Sequence, residues 1–144
     1  MSVEKTLEEM GLKLPSVPAP VAAYVPGVLD GSLVYTSGQL PTENGALRKG
    51  KLGADMTVEE GYEAARTAVL NCLAVVKSLA GSLDRVERIV KVVGYVNSAP
   101  DFEAQPKVVN GASELLGQLF GDAGVHSRSA VGVSSLPLGA CCEI

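Results

Sequence analysis

The sequence is poor in the residues that usually build cofactor and metal sites. Its 144 residues include no tryptophan, one histidine and three cysteines, and aromatic residues make up 4% of the chain. The core must therefore be filled mainly by Val, Leu and Ala. One histidine and no Cys-x-x-Cys pair supply too few ligands for a typical metal centre, so we expect no metal site.

Long apolar and basic runs are also missing. No apolar run approaches the ~18 residues of a membrane span, and the N-terminal MSVEKTLEEMG is too charged for a signal peptide. The net charge is −4 and no basic run exceeds Arg48-Lys49, which argues against broad nucleic-acid binding. Because Cys141 and Cys142 are adjacent and the cysteine count is odd, we expect reduced thiols. These features favour a cytoplasmic protein that binds neither membrane nor nucleic acid.

The length predicts one domain spanning residues 1–144. Residues 1–19 are interpreted as an N-terminal extension with a short helix, Ser2–Met10, followed by a proline-rich extended stretch, Leu14–Pro26. Since this extension is joined by a proline-rich stretch, residues 1–14 are expected to be dispensable for catalysis and assembly.

The middle of the chain alternates strand and helix patterns. A hairpin is predicted from Val21–Leu29 and Ser32–Ser37 around Asp30-Gly31, and a second turn at Asn44-Gly45. The remaining elements are two helices flanking one strand, Thr57–Ala80, Val86–Asn97 and Asp101–Phe120. This order predicts an α+β fold, a mixed β-sheet with two long helices packed on one face. Because the strand is apolar on both sides, its other face needs cover, which favours an oligomer.

The C-terminal stretch SRSAVGVSSLPLGACCEI has two apolar runs, Ser129–Ser135 and Ala140–Ile144, around a Pro/Gly turn. This pattern predicts a hairpin. In that register Arg128 and Ala130 share one face with Glu143, while the intervening valines 131 and 133 point into the core. The small residues beside the arginine leave room for a ligand or another chain.

The same stretch carries a family resemblance. Arg128-Ser129, Leu136-Pro137 and Glu143 resemble the C-terminal signature of the RidA/YjgF family of imine/enamine deaminases. The segments Y-V-x-G-V from residue 24, T-S-G-Q-L-P from residue 36, and I-V-K and Y-V from residues 89 and 95 are similar to its other motifs. The resemblance spans residues 20–143 in the right order.

Membership of this family implies several expectations. It implies a chorismate-mutase-like single domain, a homotrimer, and ligand pockets between the subunits. The implied activity is hydrolysis of reactive 2-imino or 2-enamino acids to 2-keto acids and ammonia, without a cofactor.

The resemblance also implies site residues. Arg128 is expected to bind the substrate carboxylate through its two-pronged guanidinium, and Glu143 to activate water. Their alternatives are a surface ion pair and a solvated acid at a strand end. The other expected pocket positions are Tyr24, Ser37, Asn110 and Ala130. Many relatives carry cysteine at the position of Ala130, and its backbone is expected to orient the imine.

Simpler structural roles stay open for the remaining candidates. Tyr24 would be a partly buried tyrosine, Ser37 a turn serine, and His126 a loop or interface residue. Cys141 shares the predicted face of Arg128 and is a weak candidate for a compensating thiol.

Two other functions are alternatives to the deaminase. A non-catalytic trimer that binds a small carboxylate would need Arg128 but not Glu143. A ribonuclease, an activity also attached to the family, finds no support in the acidic charge balance and the single histidine.

Overall fold

The computed structural model describes residues 2–17 and 23–144. It begins with helix α1, Val3–Glu9, which is capped by the Ser2 side chain. The predicted short helix is thus confirmed. Residues 12–17 have no helix or strand, and residues 18–22 of the predicted extended stretch lie outside the described residues.

Two hairpins follow. Strands β1, Gly27–Asp30, and β2, Leu33–Thr36, pair antiparallel with Asp30 opposite Leu33. The loop is therefore Gly31-Ser32, one residue later than predicted, and of these two only Gly31 has a positive φ, 60°. That pattern suits a turn with glycine in its first central position and excludes the type I′ turn that Asp-Gly usually favours, because a type I′ turn needs two positive φ angles.

The second hairpin joins β3, Thr42–Glu43, to β4, Ala46–Leu47. Its turn residues Asn44 and Gly45 have φ angles of 52° and 79°. The predicted turn at this place is confirmed.

Helix α2 extends over Val58–Ala80 and has the predicted boundaries. Thr57 and Glu60 form the reciprocal capping box at its start, and the Gly81 backbone N–H bonds Lys77 O at its end. Both signals act over three or four residues, so they are readable from sequence.

The next strand and helix are shorter than predicted. Strand β5 is Lys91–Asn97, and helix α3 is Gln105–Phe120. Pro106 lies in the first turn of α3. Proline is tolerated there because those N–H groups have no helical acceptor, and further along it would break the helix. The prediction of a start at Asp101 was wrong for this reason.

The C-terminal strands are β6, Ser127–Val133, and β7, Cys142–Glu143. They do not form the predicted hairpin, because β5 lies between them in the order β6-β5-β7. Strand β6 runs parallel to β5 with Arg128 opposite Val92, and β7 runs antiparallel with Glu143 opposite Tyr95. The sheet is mixed, as predicted, but the crossover through α3 makes β6 parallel to β5.

Both long helices cover the same face of the β structure. A Cβ placed on Gly94 of β5 would meet Val109 of α3, and one on Gly27 of β1 would meet Val75 and Leu79 of α2. The predicted chorismate-mutase-like α+β architecture is confirmed. The core lies between these layers and includes Leu73, Leu83, Val96, Val108, Leu115 and Leu119.

The other face of the sheet is apolar and open. Val131, predicted to point into the core, is 45% exposed, whereas Ala130 packs against the core. The prediction was wrong because the side of β6 that carries Arg128 and Ala130 faces helix α3, and Val131 therefore points away from the core. The outer face is the side turned away from the two long helices. It also carries exposed Tyr95 of β5 and, from the separate β1–β2 sheet, Val28, Leu33 and Tyr35.

Helix α1 is packed into the domain, in contrast to an appended segment. Leu7 is 3% exposed and belongs to the hydrophobic core. Asp84 Oδ1 accepts a bond from Val3 N at 2.6 Å, and Lys77 Nζ lies 2.8 Å from Glu4 Oε2. This packing indicates that α1 stabilises the domain, and the dispensability of residues 1–14 for catalysis stays a prediction.

Candidate active site

Arg128 lies near the start of β6 with its side chain turned toward helix α3. Its Nη1 donates to Asn110 Oδ1 at 2.8 Å and to Ser113 Oγ at 3.1 Å. Asn110 and Ser113 are three residues apart and so lie on one face of the helix. The predicted arginine and the predicted asparagine are therefore neighbours, held together by a direct hydrogen bond.

These two bonds orient the guanidinium. A guanidinium has five N–H donors, and both donors of Nη1 are used by α3. Nη2 and Nε of Arg128 have no hydrogen-bond partner within the described residues. Their shared edge has the geometry that binds a carboxylate through two parallel hydrogen bonds.

An open cavity of about 300 Å³ adjoins Arg128. Helix α3 contributes Asn110, Ser113 and Gly117 to its wall. A Cβ placed on Gly117 would meet nothing within 4 Å, so the missing side chain leaves space there. The rest of the lining is Gly124, Val125 and His126. The cavity has the size for a small organic acid.

His126 is tied into the same group of side chains. Its Nδ1 lies 2.6 Å from Gly124 O, and its Nε2 lies 2.9 Å from Ser113 Oγ. Because a carbonyl oxygen can only accept, Nδ1 carries the proton of the neutral ring, and Nε2 accepts from the Ser113 hydroxyl. The interpretation of His126 as a loop or interface residue was incomplete, since its ring lines the cavity.

The backbone of Ala130 points toward the open edge of β6. Ser127 N bonds Val90 O, and Ser98 N bonds Val133 O. In a parallel pair of strands, every second residue of one strand makes its backbone hydrogen bonds to the other strand, and the residues between them point their N–H and C=O groups the opposite way. The odd-numbered residues of β6 therefore bond β5, and the N–H and C=O of Ala130 face away from it.

Glu143 is not beside Arg128. By the register of β5, Arg128 shares the face of buried Val92, whereas Glu143 shares the face of exposed Tyr95. The prediction that Arg128 and Glu143 share a face was wrong. Strand β5 lies between β6 and β7, and the alternation of side chains along β5 places Val92, and with it Arg128, on the opposite face from Tyr95 and Glu143. The Glu143 carboxylate instead lies against Gly38, where an added Cβ would collide with it.

The remaining predicted residues lie near Glu143. Ser37 Oγ donates to Val25 O at 2.6 Å, next to Tyr24, which is 68% exposed. Gln39 and Ile144 exchange backbone hydrogen bonds of 2.8 and 3.0 Å. The chain thus carries two separate groups, Arg128 with Asn110 and Ala130, and Glu143 with Ser37 and Tyr24.

None of the three cysteines lines the cavity beside Arg128. Cys141 is fully buried, with its N–H bonded to Arg48 O, and it does not line the cavity. Its predicted position on the Arg128 face was wrong. The Cys72 thiol donates to Ile144 O at 3.3 Å, and burial raises the pKa of this thiol to about 12.

The sequence interpretation missed Ser113, Gly117 and the role of His126. A signal for them exists. Asn110, Ser113 and Gly117 are spaced by three and four residues, as on one helix face. His126 precedes Arg128 by two residues, as on one strand face.

Within residues 2–17 and 23–144, no group of three or more His, Cys, Asp or Glu side chains is placed to hold a metal ion. In the same residues, no helix has the length and hydrophobicity needed to cross a membrane.

Known proteins are similar to this chain in sequence and in fold. Protein TCP17 of Trypanosoma cruzi is 44% identical over 144 residues, which cover 99% of this chain and 90% of that protein. A crystal structure of a "putative endoribonuclease" from Shewanella oneidensis MR-1 is 41% identical with a TM-score of 0.94, covering 99% and 95% of the two chains. The crystal structure of Escherichia coli TdcF with bound serine is 26% identical with a TM-score of 0.62, covering 89% and 87%.

Residues 4–144 match the family described as "YjgF/chorismate_mutase-like, putative endoribonuclease". This match covers nearly the whole chain and agrees with the motifs of the sequence and the observed fold. The protein belongs to the YjgF/chorismate-mutase-like family.

Proposed function

We propose that this protein is a cofactor-independent deaminase that hydrolyses 2-imino or 2-enamino acids to 2-keto acids and ammonia. The observation that carries the proposal is the Arg128 guanidinium, oriented by Asn110 and Ser113 beside an open cavity. A free edge of paired N–H donors selects a carboxylate. The guanidinium therefore favours a small acid, and the resemblance to the imine/enamine deaminases supplies the reacting C=N bond next to the carboxylate.

The serine bound to TdcF supports this substrate class. An amino acid carries a nitrogen on the carbon adjacent to its carboxylate, and a 2-imino acid has the same skeleton. The arginine of this chain would hold either ligand by the carboxylate and leave the 2-carbon open to water.

The reaction needs no covalent intermediate. Water adds to the C=N carbon, and the resulting carbinolamine expels ammonia to leave the 2-keto acid. The backbone of Ala130, free at the edge of β6, would orient the imine nitrogen. Glu143 would accept a proton from the attacking water. The absence of a thiol at position 130 is compatible with this route.

The separation of Arg128 from Glu143 points to a site shared between subunits. The two side chains lie on opposite faces of the sheet in one chain. The outer face carries exposed Tyr35, Tyr95 and Val131, which a second copy would cover. We propose a homotrimer in which Arg128 of one subunit meets Tyr24, Ser37 and Glu143 of its neighbour.

A second function keeps the same arginine. A non-catalytic trimer that binds small carboxylates would use the fixed guanidinium and would not need Glu143. A Glu143→Gln variant separates the two, because only a deaminase should lose turnover while it keeps its affinity for pyruvate.

The direct test is ammonia release from 2-iminopropionate generated in situ, compared with buffer alone. Arg128→Ala is the matched inactive control. We expect the parent protein to accelerate ammonia release and the variant to match buffer. Equal rates for parent and buffer, with pyruvate still bound by the parent, would favour the non-catalytic binder.

A further inference from the structure

We infer that Ser113 and His126 form a proton relay that serves the ligand held by Arg128. The relay is a chain of three hydrogen bonds. Arg128 Nη1 donates to Ser113 Oγ at 3.1 Å, Ser113 Oγ lies 2.9 Å from His126 Nε2, and His126 Nδ1 lies 2.6 Å from Gly124 O. Both relay residues line the cavity beside Arg128.

The directions of these bonds follow from donor counting. The Gly124 carbonyl accepts, so Nδ1 always carries a hydrogen. Arg128 can only donate, so it occupies a lone pair of Ser113 Oγ. A hydroxyl has one hydrogen and two lone pairs. With a neutral His126 ring, the Ser113 hydrogen is therefore committed to Nε2.

Protonation of His126 reverses one bond. Nε2 then carries a hydrogen and donates to Ser113 Oγ, whose two lone pairs are now filled by Arg128 and His126. The Ser113 hydrogen is released from the ring and becomes available to a ligand in the cavity. A proton on His126 is thereby converted into a hydroxyl donor beside the carboxylate site.

The proposed deaminase has a step that needs such a donor. The carbinolamine nitrogen must gain a proton before the C–N bond breaks. The nitrogen takes the hydrogen of Ser113 Oγ while Ser113 Oγ takes the proton of His126 Nε2. The C–N bond then breaks, and its electron pair leaves with the nitrogen as ammonia. The carbinolamine oxygen forms the C=O bond, and its proton passes to solvent, from which His126 is recharged.

This assignment rests on the proposed function for the identity of the step, but not for the existence of the relay. The charged and titratable groups on the elements around the His126 ring are Arg128 on β6, Lys91 and Tyr95 on β5, Asp122 in the turn Gly121–Gly124, and Lys107 and Glu114 on α3. Glu114 is bonded to Tyr62 of α2. Arg128 is the cation linked to the ring through Ser113.

The sole histidine makes the relay directly observable. In protein labelled with ¹⁵N-histidine, the NMR spectrum shows the nitrogen signals of a single imidazole. We expect the neutral form of this imidazole to carry its proton on Nδ1. We also expect the ring signals to shift when the protein is saturated with pyruvate, and calorimetry establishes the concentration needed for saturation. The Arg128→Ala variant should show no ligand-induced shift. A neutral ring protonated on Nε2, or ring signals that do not move in pyruvate-saturated parent protein, would overturn the relay.

Kinetics supply the second readout. We expect His126→Gln and Ser113→Ala to lower kcat for ammonia release by about 10²-fold, the usual size of an acid–base contribution. KM should stay nearly unchanged in His126→Gln and should rise in Ser113→Ala, which also loses a hydrogen bond that orients Arg128. Ser113→Thr keeps the hydroxyl and should retain most of kcat. Ser78→Ala is the matched control, because Ser78 is a helical serine of α2 that bonds Val75 O.

The outcomes separate the two proposals. Parent kcat in both His126→Gln and Ser113→Ala would remove the relay and leave the deaminase standing. A pyruvate-dependent change of the His126 ring in a protein that releases no ammonia would remove the deaminase and leave the relay as part of a binding site. A parent protein that binds no pyruvate at millimolar concentration would overturn both.

Discussion

Arg128 and Glu143 lie on opposite faces of one sheet, because strand β5 separates them and pairs Arg128 with Val92 but Glu143 with Tyr95. A ligand held by the arginine of one chain is therefore out of reach of that chain's own glutamate. In the proposed homotrimer, these two residues would meet across two copies of the chain.

Subunit mixing tests this relationship. Arg128→Ala and Glu143→Gln are each expected to be inactive, but refolding an equal mixture should restore about a quarter of parent activity. The subunit that supplies the arginine is intact at that position in about half of the sites, and its neighbour supplies an intact glutamate in about half of those. Ammonia release from 2-iminopropionate is the measurement. Mixing either variant with the double variant should restore nothing. A fully inactive mixture of the two single variants would contradict a shared site.

Replacing Arg128 tests the carboxylate site. Arg128→Lys keeps the charge but loses the paired donors, so pyruvate binding should weaken by about 1.5–3 kcal/mol. Arg128→Ala should weaken it further. Calorimetry gives the affinities, and a thermal melt should show Tm within about 4 °C of the parent, the scale of 1 kcal/mol in a domain of this size. Unchanged affinity in Arg128→Ala would rule out this arginine as the anchor.

Substitutions at Gly117 test whether the cavity beside Arg128 is the binding site. An added Cβ there meets nothing within 4 Å, and replacing a helical glycine by alanine gains roughly 0.5–1 kcal/mol. We expect Gly117→Ala to be slightly more stable and to bind pyruvate normally. Gly117→Leu should fold but lose at least about tenfold in affinity, because its side chain fills the cavity. Equal pyruvate affinity in both variants would place the ligand elsewhere.

Helix α1 is expected to stabilise the domain. Leu7 is 3% exposed within the core, so Leu7→Ala should cost about 2–4 kcal/mol in the free energy of unfolding. The exposed neighbour Glu8 supplies the control, and Glu8→Ala should change that free energy by less than about 0.5 kcal/mol. Urea denaturation measures both. Equal stability of the two variants would show that α1 is an appended segment after all.

The buried thiol of Cys72 should make the protein less stable at alkaline pH. Its pKa in the folded protein is raised to about 12 by burial, against roughly 8.5 for a free thiol. Between these values the unfolded chain loses the thiol proton and the folded chain keeps it, so the stabilisation present below pH ~8.5 declines as pH rises.

The Cys72→Ala variant isolates this contribution. The stability advantage of the parent over Cys72→Ala should shrink by about 2 kcal/mol between pH 8 and pH 10, since one unit of pKa difference is worth ~1.4 kcal/mol. Urea denaturation under reducing conditions at both pH values measures it. An advantage that stays constant would mean that the thiol is solvated in the folded state.

Several features were determined by the sequence itself, because their causes act within a few residues. The Thr57–Glu60 capping box starts α2 as predicted, and Asn44-Gly45 forms the predicted turn because both residues accept positive φ. The motifs around Arg128 together with the segment T-S-G-Q-L-P from residue 36 were enough to identify the family.

Tertiary structure decided which strands are neighbours and which residues share a face. Strand pairing depends on segments far apart in the chain, and a one-residue change of register reverses every side chain. The insertion of β5 between β6 and β7 therefore separated Arg128 from Glu143. The crossover through α3 brought Ser113 and His126, thirteen residues apart, into hydrogen-bond contact. No local pattern contains that contact, because it depends on how a helix packs against the start of a parallel strand.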